Sequence, residues 1–317
     1  MYARLIKAVQ QRSPLPYTFK LIDECLQNDS KEDFLSKYIS VSRACRLFNQ
    51  FCIQALEGKR FQADSHAKVI AYLERKGFSF TKHDPFWSLE CDGEYSGDLH
   101  QHRFFELGEG VPIIHLASSG NMVSSGTTGF FLWEGSVAFL ACLMENETFR
   151  QRFFRKRVLE LGSGSGLAGI SVATVAEPAR VELTDVERVC EAFTQPNVEN
   201  NPRPSLASSP LDWTDHDRLS ELKQEFDLFI GCDLVYDPDV CQLLLEACRQ
   251  LLADSQVREI LLLCTLRNPQ TFETFVSEAR DFASVTLSTV SISPSNPVLV
   301  TDSSSLRLIE MKPKTGK

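Results

Sequence analysis

The period of the apolar positions changes along the 317 residues. Over about 1–80 they recur at helical spacing: Leu5, Ile6 and Val9, then Phe34, Leu35 and Tyr38, then Ala67, Val69, Ile70, Tyr72 and Leu73. That recurrence predicts amphipathic helices. Ser30 with Asp33 three residues on resembles a weak helix start. From about 84 to 118 the apolar runs shorten, with Phe86-Trp87-Ser88-Leu89, 102–107 and 111–116 separated by Asp92-Gly93 and Gly108-Glu109-Gly110. These are hairpin signals and predict a small antiparallel element. Ser118-Ser119-Gly120 and Ser124-Ser125-Gly126 predict a loop.

Beyond Thr127 strands and helices alternate. Helices are expected over about 134–149, 167–176, from about 187, 240–252 and 271–279. Strands are expected at Val158-Leu159-Glu160-Leu161, 180–184, 226–232, 259–264, 284–292 and 306–311. Alternation of this kind predicts an α/β fold, a mostly parallel sheet covered on both faces. The last two strands have no helix-length apolar segment between them, so they should pair antiparallel at one edge.

Composition narrows the classes. With 43% hydrophobic and 24% charged residues, a wholly disordered chain is excluded. The balance of 33 basic against 42 acidic residues gives −9, which disfavours a general nucleic-acid binder held by counterion release. The ten cysteines form no CxxC pair and no zinc-spaced cluster, so they read as reduced core residues of an intracellular protein. The longest apolar candidate for a membrane span, 129–144, is interrupted by Glu134 and too short. Arg4, Lys7, Arg12 and Lys20 precede the first acid, as in a mitochondrial presequence, but Pro14 and Pro16 break the helix it would need. A cytoplasmic, monomeric protein is expected. His100, His102 and His216 have no metal-like company, so no metal is expected. Arg152, Arg155, Lys156 and Arg157 read as a solvated basic face.

The chemistry concentrates at Glu160-Leu161-Gly162-Ser163-Gly164-Ser165-Gly166, which follows a strand and opens a helix. Glycines there allow a tight turn and close approach of a ligand to backbone, and the helix start offers free N–H groups. Read from Gly164, the segment also matches the dinucleotide fingerprint, Gly164-x-Gly166-x-x-Gly169. Asp185, closing the next strand, suits ribose hydroxyls in either case. The loop alone leaves both a nicotinamide cofactor and S-adenosylmethionine open. Glu160 favours the second: a carboxylate there can help hold a methionine ammonium and would repel a pyrophosphate. So does the terminal antiparallel pair, which a six-stranded parallel dinucleotide fold lacks.

At these residues the chain resembles the seven-β-strand class I protein-lysine methyltransferases that modify non-histone proteins. The similar segments are 158–164 after strand one, Leu183-Thr184-Asp185 with Asn197 and Asn200, Asp233-Leu234-Val235-Tyr236 after strand four, Gly126-Thr127-Thr128-Gly129 running to Trp133, and Asp212-Trp213 after strand three. The resemblance implies a Rossmann-like seven-stranded methyltransferase domain at 119–317 behind an N-terminal helical domain with a small hairpin element at 1–118. It implies S-adenosylmethionine as cofactor, S-adenosylhomocysteine as product, and cofactor contacts from Trp133, Glu160, Gly162, Ser163, Gly164, Asp185, Trp213 and Cys232. Asp233 and Tyr236 are the expected catalytic pair, orienting the incoming lysine at the strand-four loop. Segments 126–129 and 264–271 are most similar to members that trimethylate a lysine of elongation factor 2, which implies that protein as substrate and partner. A methyltransferase of another protein or of a small molecule, and a non-catalytic cofactor binder, remain alternatives. The chain departs from the pattern at 201–210, Asn-Pro-Arg-Pro-Ser-Leu-Ala-Ser-Ser-Pro, where strand three is either very short or an ordered loop.

Overall fold

A computed structural model describes residues 127–253, 258–290 and 303–314, four strands between 79 and 119, and positions 107, 111, 112, 122 and 292. The helices predicted over 1–80 lie outside the described residues, apart from 79 and 80, which open a strand. The predicted antiparallel element is a four-stranded meander: β1 (Ser79–His83), β2 (Phe86–Glu90), β3 (His100–Phe105) and β4 (Ile114–Ser119). Both turn signals fall between its strands.

β4 straddles the expected boundary between 118 and 119. Ser118 and Ser119 belong to the strand and not to a loop. Ile114 and Leu116 are buried in the same core as one face of the main, seven-stranded sheet. One edge of β4 pairs with β3. Its other backbone groups are met by two side-chain amides from 80 and more residues away. Asn197 Oδ1 accepts from Ala117 N (2.8 Å) and Asn197 Nδ2 donates to Ala117 O (2.8 Å). Asn201 Oδ1 accepts from His115 N (2.9 Å) and Asn201 Nδ2 donates to His115 O (2.5 Å). Two carboxamides thus do the work of a neighbouring strand, satisfying buried amides that would each cost about 1–3 kcal/mol if left alone.

The main sheet has seven strands in the order β10-β11-β9-β8-β5-β6-β7. They are β5 (Arg157–Glu160), β6 (Arg180–Asp185), β7 (Leu206–Pro210), β8 (Leu228–Cys232), β9 (Glu259–Thr265), β10 (Ala283–Thr289) and β11 (Leu306–Pro313). β5 to β9 run parallel, and β11 pairs antiparallel with both β9 and β10. The terminal hairpin is therefore as expected, with β11 inserted beside β9. The segment 201–210 does hold a strand, the short β7, whose Pro210 sits at the outer edge, where a missing N–H is tolerated.

Alternation sorts the central strands between two cores. Val158, Ile230, Leu261 and Leu263 face α1 (Glu134–Glu145) and α3 (Leu167–Val175). Leu159, Phe229, Ile260 and Leu262 face α6 (His216–Glu225), α7 (Pro238–Leu252) and α8 (Pro269–Phe282). The helix expected over 134–149 is broken at Asn146, which ends α1 and caps α2 (Glu147–Gln151) by accepting from Phe149 N. α6 is not among the sequence expectations because it buries only Leu219 and Leu222 in a charged segment, too thin a stripe to show a period. Between β6 and β7 the chain forms α4 (Glu187–Val189), a π-helical turn (Cys190–Thr194) and α5 (Gln195–Asn200). The basic run is not simply solvated: Arg152 pairs with Glu259 and Glu310, and Arg157 with Asp227.

Candidate active site

Parallel strands place their C-terminal ends on one edge, the crevice where open α/β sheets bind ligands. Here β5 ends at Glu160, β6 at Asp185 and β8 at Cys232. The glycine loop leaves β5 with Gly162 at φ +55°, Gly164 at +54° and Gly166 at +85°. A Cβ on Gly164 would stand 2.8 Å from the Gly129 carbonyl oxygen, so the space is filled by another backbone segment. A Cβ on Gly162 would meet Leu234 at 2.7 Å.

The loop is held by hydrogen bonds from its neighbours. Ser163 donates both its N–H and its hydroxyl to the Thr184 carbonyl, at 2.9 Å each. Thr194, in the π-helical turn, donates to Gly164 O (2.7 Å), and Asn197 donates to Ser165 O (2.8 Å). Asp185 accepts from Gly164 N and Val186 N, both at 2.8 Å. Burial pushes its carboxyl up to about 6, against the pull of those two amides. Each oxygen keeps a second lone pair for a hydroxyl donor.

Glu160 is buried, and its Oε2 accepts from Gly169 N in the first turn of α3 (2.9 Å). A Cβ at Gly169 would lie 2.6 Å from that oxygen, which explains the glycine. Burial raises the Glu160 carboxyl to about 8, with the charge of Asp185 adding to the rise and the Gly169 amide opposing it. Among the described residues Glu160 has no cationic partner, and Oε1 has no hydrogen bond.

The opposite wall comes from the loop after β8. Asp233 takes the left-handed φ of +54°, a region in which Asp is several-fold enriched over most residues. Its Oδ1 accepts from Thr265 N (2.6 Å), and its Oδ2 from Gly135 N (2.8 Å), Arg267 Nη2 (3.1 Å) and Thr265 Oγ1 (3.3 Å). The carboxylate thus ties the start of α1 to the end of β9. Trp133 donates to Thr128 O (3.0 Å), meets Phe131 edge-on, and carries the Arg267 guanidinium 4.7 Å above its ring. Tyr236 is exposed, its hydroxyl 3.5 Å from Thr128 Oγ1. Desolvation pushes the Cys232 thiol well above its usual range, so no thiolate nucleophile is on offer.

One cavity of about 330 Å³ gathers all ten residues singled out in the sequence, Trp213 and Cys232 included. That volume is enough for a small ligand. The cavity also includes Thr127, Thr128 and Gly129, whose clustering just before Trp133 was legible but had been given no role, and Leu211, Val240 and Leu243. Arg267, in the β9–α8 turn, was missed because nothing local to it points at Asp233. Among the described residues no cluster of His, Cys, Asp and Glu could hold a metal, and no helix is long and apolar enough to cross a membrane.

Comparison with known proteins places the same region. The family described as lysine methyltransferases matches residues 121–282, just over half the chain. The human protein-lysine N-methyltransferase EEF2KMT is 29% identical over 195 residues, 56% of this chain and 57% of that one. The Arabidopsis thaliana calmodulin-lysine N-methyltransferase is 31% identical over 135 residues, 41% of this chain and 44% of its own length. The Danio rerio protein N-lysine methyltransferase METTL21A is 35% identical over 133 residues, 41% and 58%. The chain spans about half the length of the curated relatives it matches.

Proposed function

We propose that this chain, which belongs to the lysine methyltransferase family, transfers methyl groups from S-adenosylmethionine to a lysine of a folded protein. The observation that carries this reading is Glu160: a buried carboxyl with no cationic partner among the described residues, beside the glycine loop, in the cavity that Asp233 and Tyr236 also line. It fits a ligand bearing an ammonium group. Glu160 would hold the methionine amine, Asp185 the ribose, and Trp213 a face of the adenine. When bound, the cofactor supplies an electrophilic methyl carbon on a sulfonium centre. The acceptor must arrive as a neutral amine, yet a lysine pKa near 10.4 leaves under about 0.1% neutral at pH 7. The chain's task is therefore to strip and aim that amine, with the proton passing to water. Asp233 and Tyr236 stand where they can orient it.

Elongation factor 2 is the substrate we favour, with trimethylation as the product and the cytoplasm as the place. The support is the human EEF2KMT among the relatives, together with the subgroup resemblance read in segments 126–129 and 264–271 of the sequence. The test is mass spectrometry of elongation factor 2 from cells lacking this protein, before and after adding the chain with S-adenosylmethionine. A new methyl-lysine on the factor is expected. Methylation of a different protein, with the factor untouched, would overturn the substrate.

Glu160 gives the cofactor assignment a pH signature. Its folded pKa, about 8, lies above the ordinary 4.5, so the folded chain holds this proton more tightly than the unfolded chain. Stability without cofactor should decline as pH climbs from about 4.5 to about 8 and then level. An ammonium favours the ionised form, so binding near pH 7 should release a proton and tighten as pH rises toward 8. Calorimetry in two buffers of different ionisation enthalpy reads the release. Glu160→Gln should abolish it and weaken binding about tenfold or more. Equal proton release in the variant would place the titration elsewhere.

A further inference from the structure

Within that functional reading, on which this inference rests, the Asp233 carboxylate presents a difficulty. A bare carboxylate at the lysine site would draw the acceptor in as the ammonium and hold its proton, the unreactive form. The structure shows it is not bare. Three neutral donors, Gly135 N, Thr265 N and Thr265 Oγ1, fix its position, and among the described residues a single cation, Arg267, adds charge. Among the described residues, the other ionisable groups near Asp233 are Glu134, whose Oε2 lies 3.7 Å from the same guanidinium, Glu160, Cys232, Cys264 and the exposed Tyr236. None of them is a cation. Arg267 is also pinned from above, its guanidinium lying over the ring of Trp133, a wall of the cavity.

We propose that Arg267 is a positioning residue that neutralises Asp233, so that the acceptor lysine occupies the site as the neutral amine, its proton having left to solvent. Geometry and charge are separable here. Removing Arg267 leaves the three neutral donors in place, so the carboxylate stays where it is and only its charge is uncovered. An uncovered Asp233 would bind the ammonium form more readily and turn it over less.

The experiment uses the full chain and two variants, Arg267→Gln and Arg267→Lys, with purified elongation factor 2 as methyl acceptor. The profile of kcat against pH reports groups in the bound complex. In Arg267→Gln the rising limb should move up by about one pH unit, which lowers kcat about tenfold at pH 7 while KM stays level or falls. Most of the loss should be recovered near pH 9.5. Arg267→Lys, which keeps the cation, should lie closer to the wild type. S-adenosylmethionine affinity by calorimetry should stay within about threefold in both variants. A rising limb that does not move, a kcat lowered equally at every pH, or a loss of cofactor affinity overturns the assignment. A wild-type chain that leaves the factor unmethylated overturns instead the functional reading beneath it.

Discussion

Asp233→Ala should lower the melting temperature by about 5–10 °C and protein methylation by about 10²-fold or more. The stability loss follows from what the carboxylate holds. Removing it strands Gly135 N, Thr265 N and Arg267 beside a residue that is only 8% exposed. Orphaned buried donors cost about 1–3 kcal/mol each. The Arg267 pair deserves a smaller share, because its side chain is 37% exposed and solvent screens it. A left-handed alanine adds roughly 1–2 kcal/mol. At their lower ends, about 1 kcal/mol for each of the two buried amides and about 1 kcal/mol for the alanine, these costs total about 3 kcal/mol, which matches the shift expected at about 2–4 °C per kcal/mol for a domain this large. The activity loss is larger than stability alone would give, because the start of α1, and with it Trp133, loses its anchor, and a displacement near 1 Å can cost about 10² in rate. Asp233→Asn tolerates the same backbone and keeps one carbonyl acceptor, so its melting temperature should fall by less than half as much. Thermal unfolding within 2 °C of wild type for the alanine variant would show that the linkage is dispensable.

Gly164→Val should abolish measurable S-adenosylmethionine binding, at least about 10²-fold weaker by calorimetry, and should also destabilise the fold. The left-handed φ of +54° makes a β-branched residue a steric outlier there, and the new Cβ would stand 2.8 Å from a backbone oxygen, not from a pliable side-chain tip. Relief requires the glycine loop and the 127–129 segment to part. That motion breaks the Gly164 N–Asp185 bond and opens the cavity between the two segments. The damage therefore runs through protein backbone, not only through the volume a ligand needs. Affinity within threefold of wild type would refute the placement of the cofactor against this loop.

These two sites show how differently the chain discloses its parts. The glycine loop was legible because its signal is local: three glycines within five residues, a strand before and a helix after, and an acid closing the next strand. The terminal hairpin was legible because a connection too short for a helix leaves only antiparallel pairing. That the strand ends converge follows from parallel alternation, and the resemblance to the methyltransferase family supplied the ten candidate residues before their cavity was seen. Their hydrogen bonds could not. Asp233 reads in sequence as a free carboxylate at a pocket mouth, and its occupation by Arg267 and Thr265 spans more than 30 residues and three elements.

β4 is the same case at larger scale. Ser118 and Ser119 look like loop residues because two small polar side chains before a glycine carry a turn signal. Their strand is fixed by tertiary partners: β3 pairs with one edge, and Asn197 and Asn201, beyond two strands of the main sheet, clamp Ala117 and His115 on the other. β7 resisted prediction because an edge strand of five residues with a terminal proline has almost no period of its own, and exists by pairing with β6. The sequence by itself determined the elements whose stability is written in their own periodicity, and the turn chemistry that joins them. Strand order, the clamp on β4 and the charge on Asp233 were decided only by tertiary structure, since each depends on donors and acceptors brought together by packing across distances no local pattern can encode.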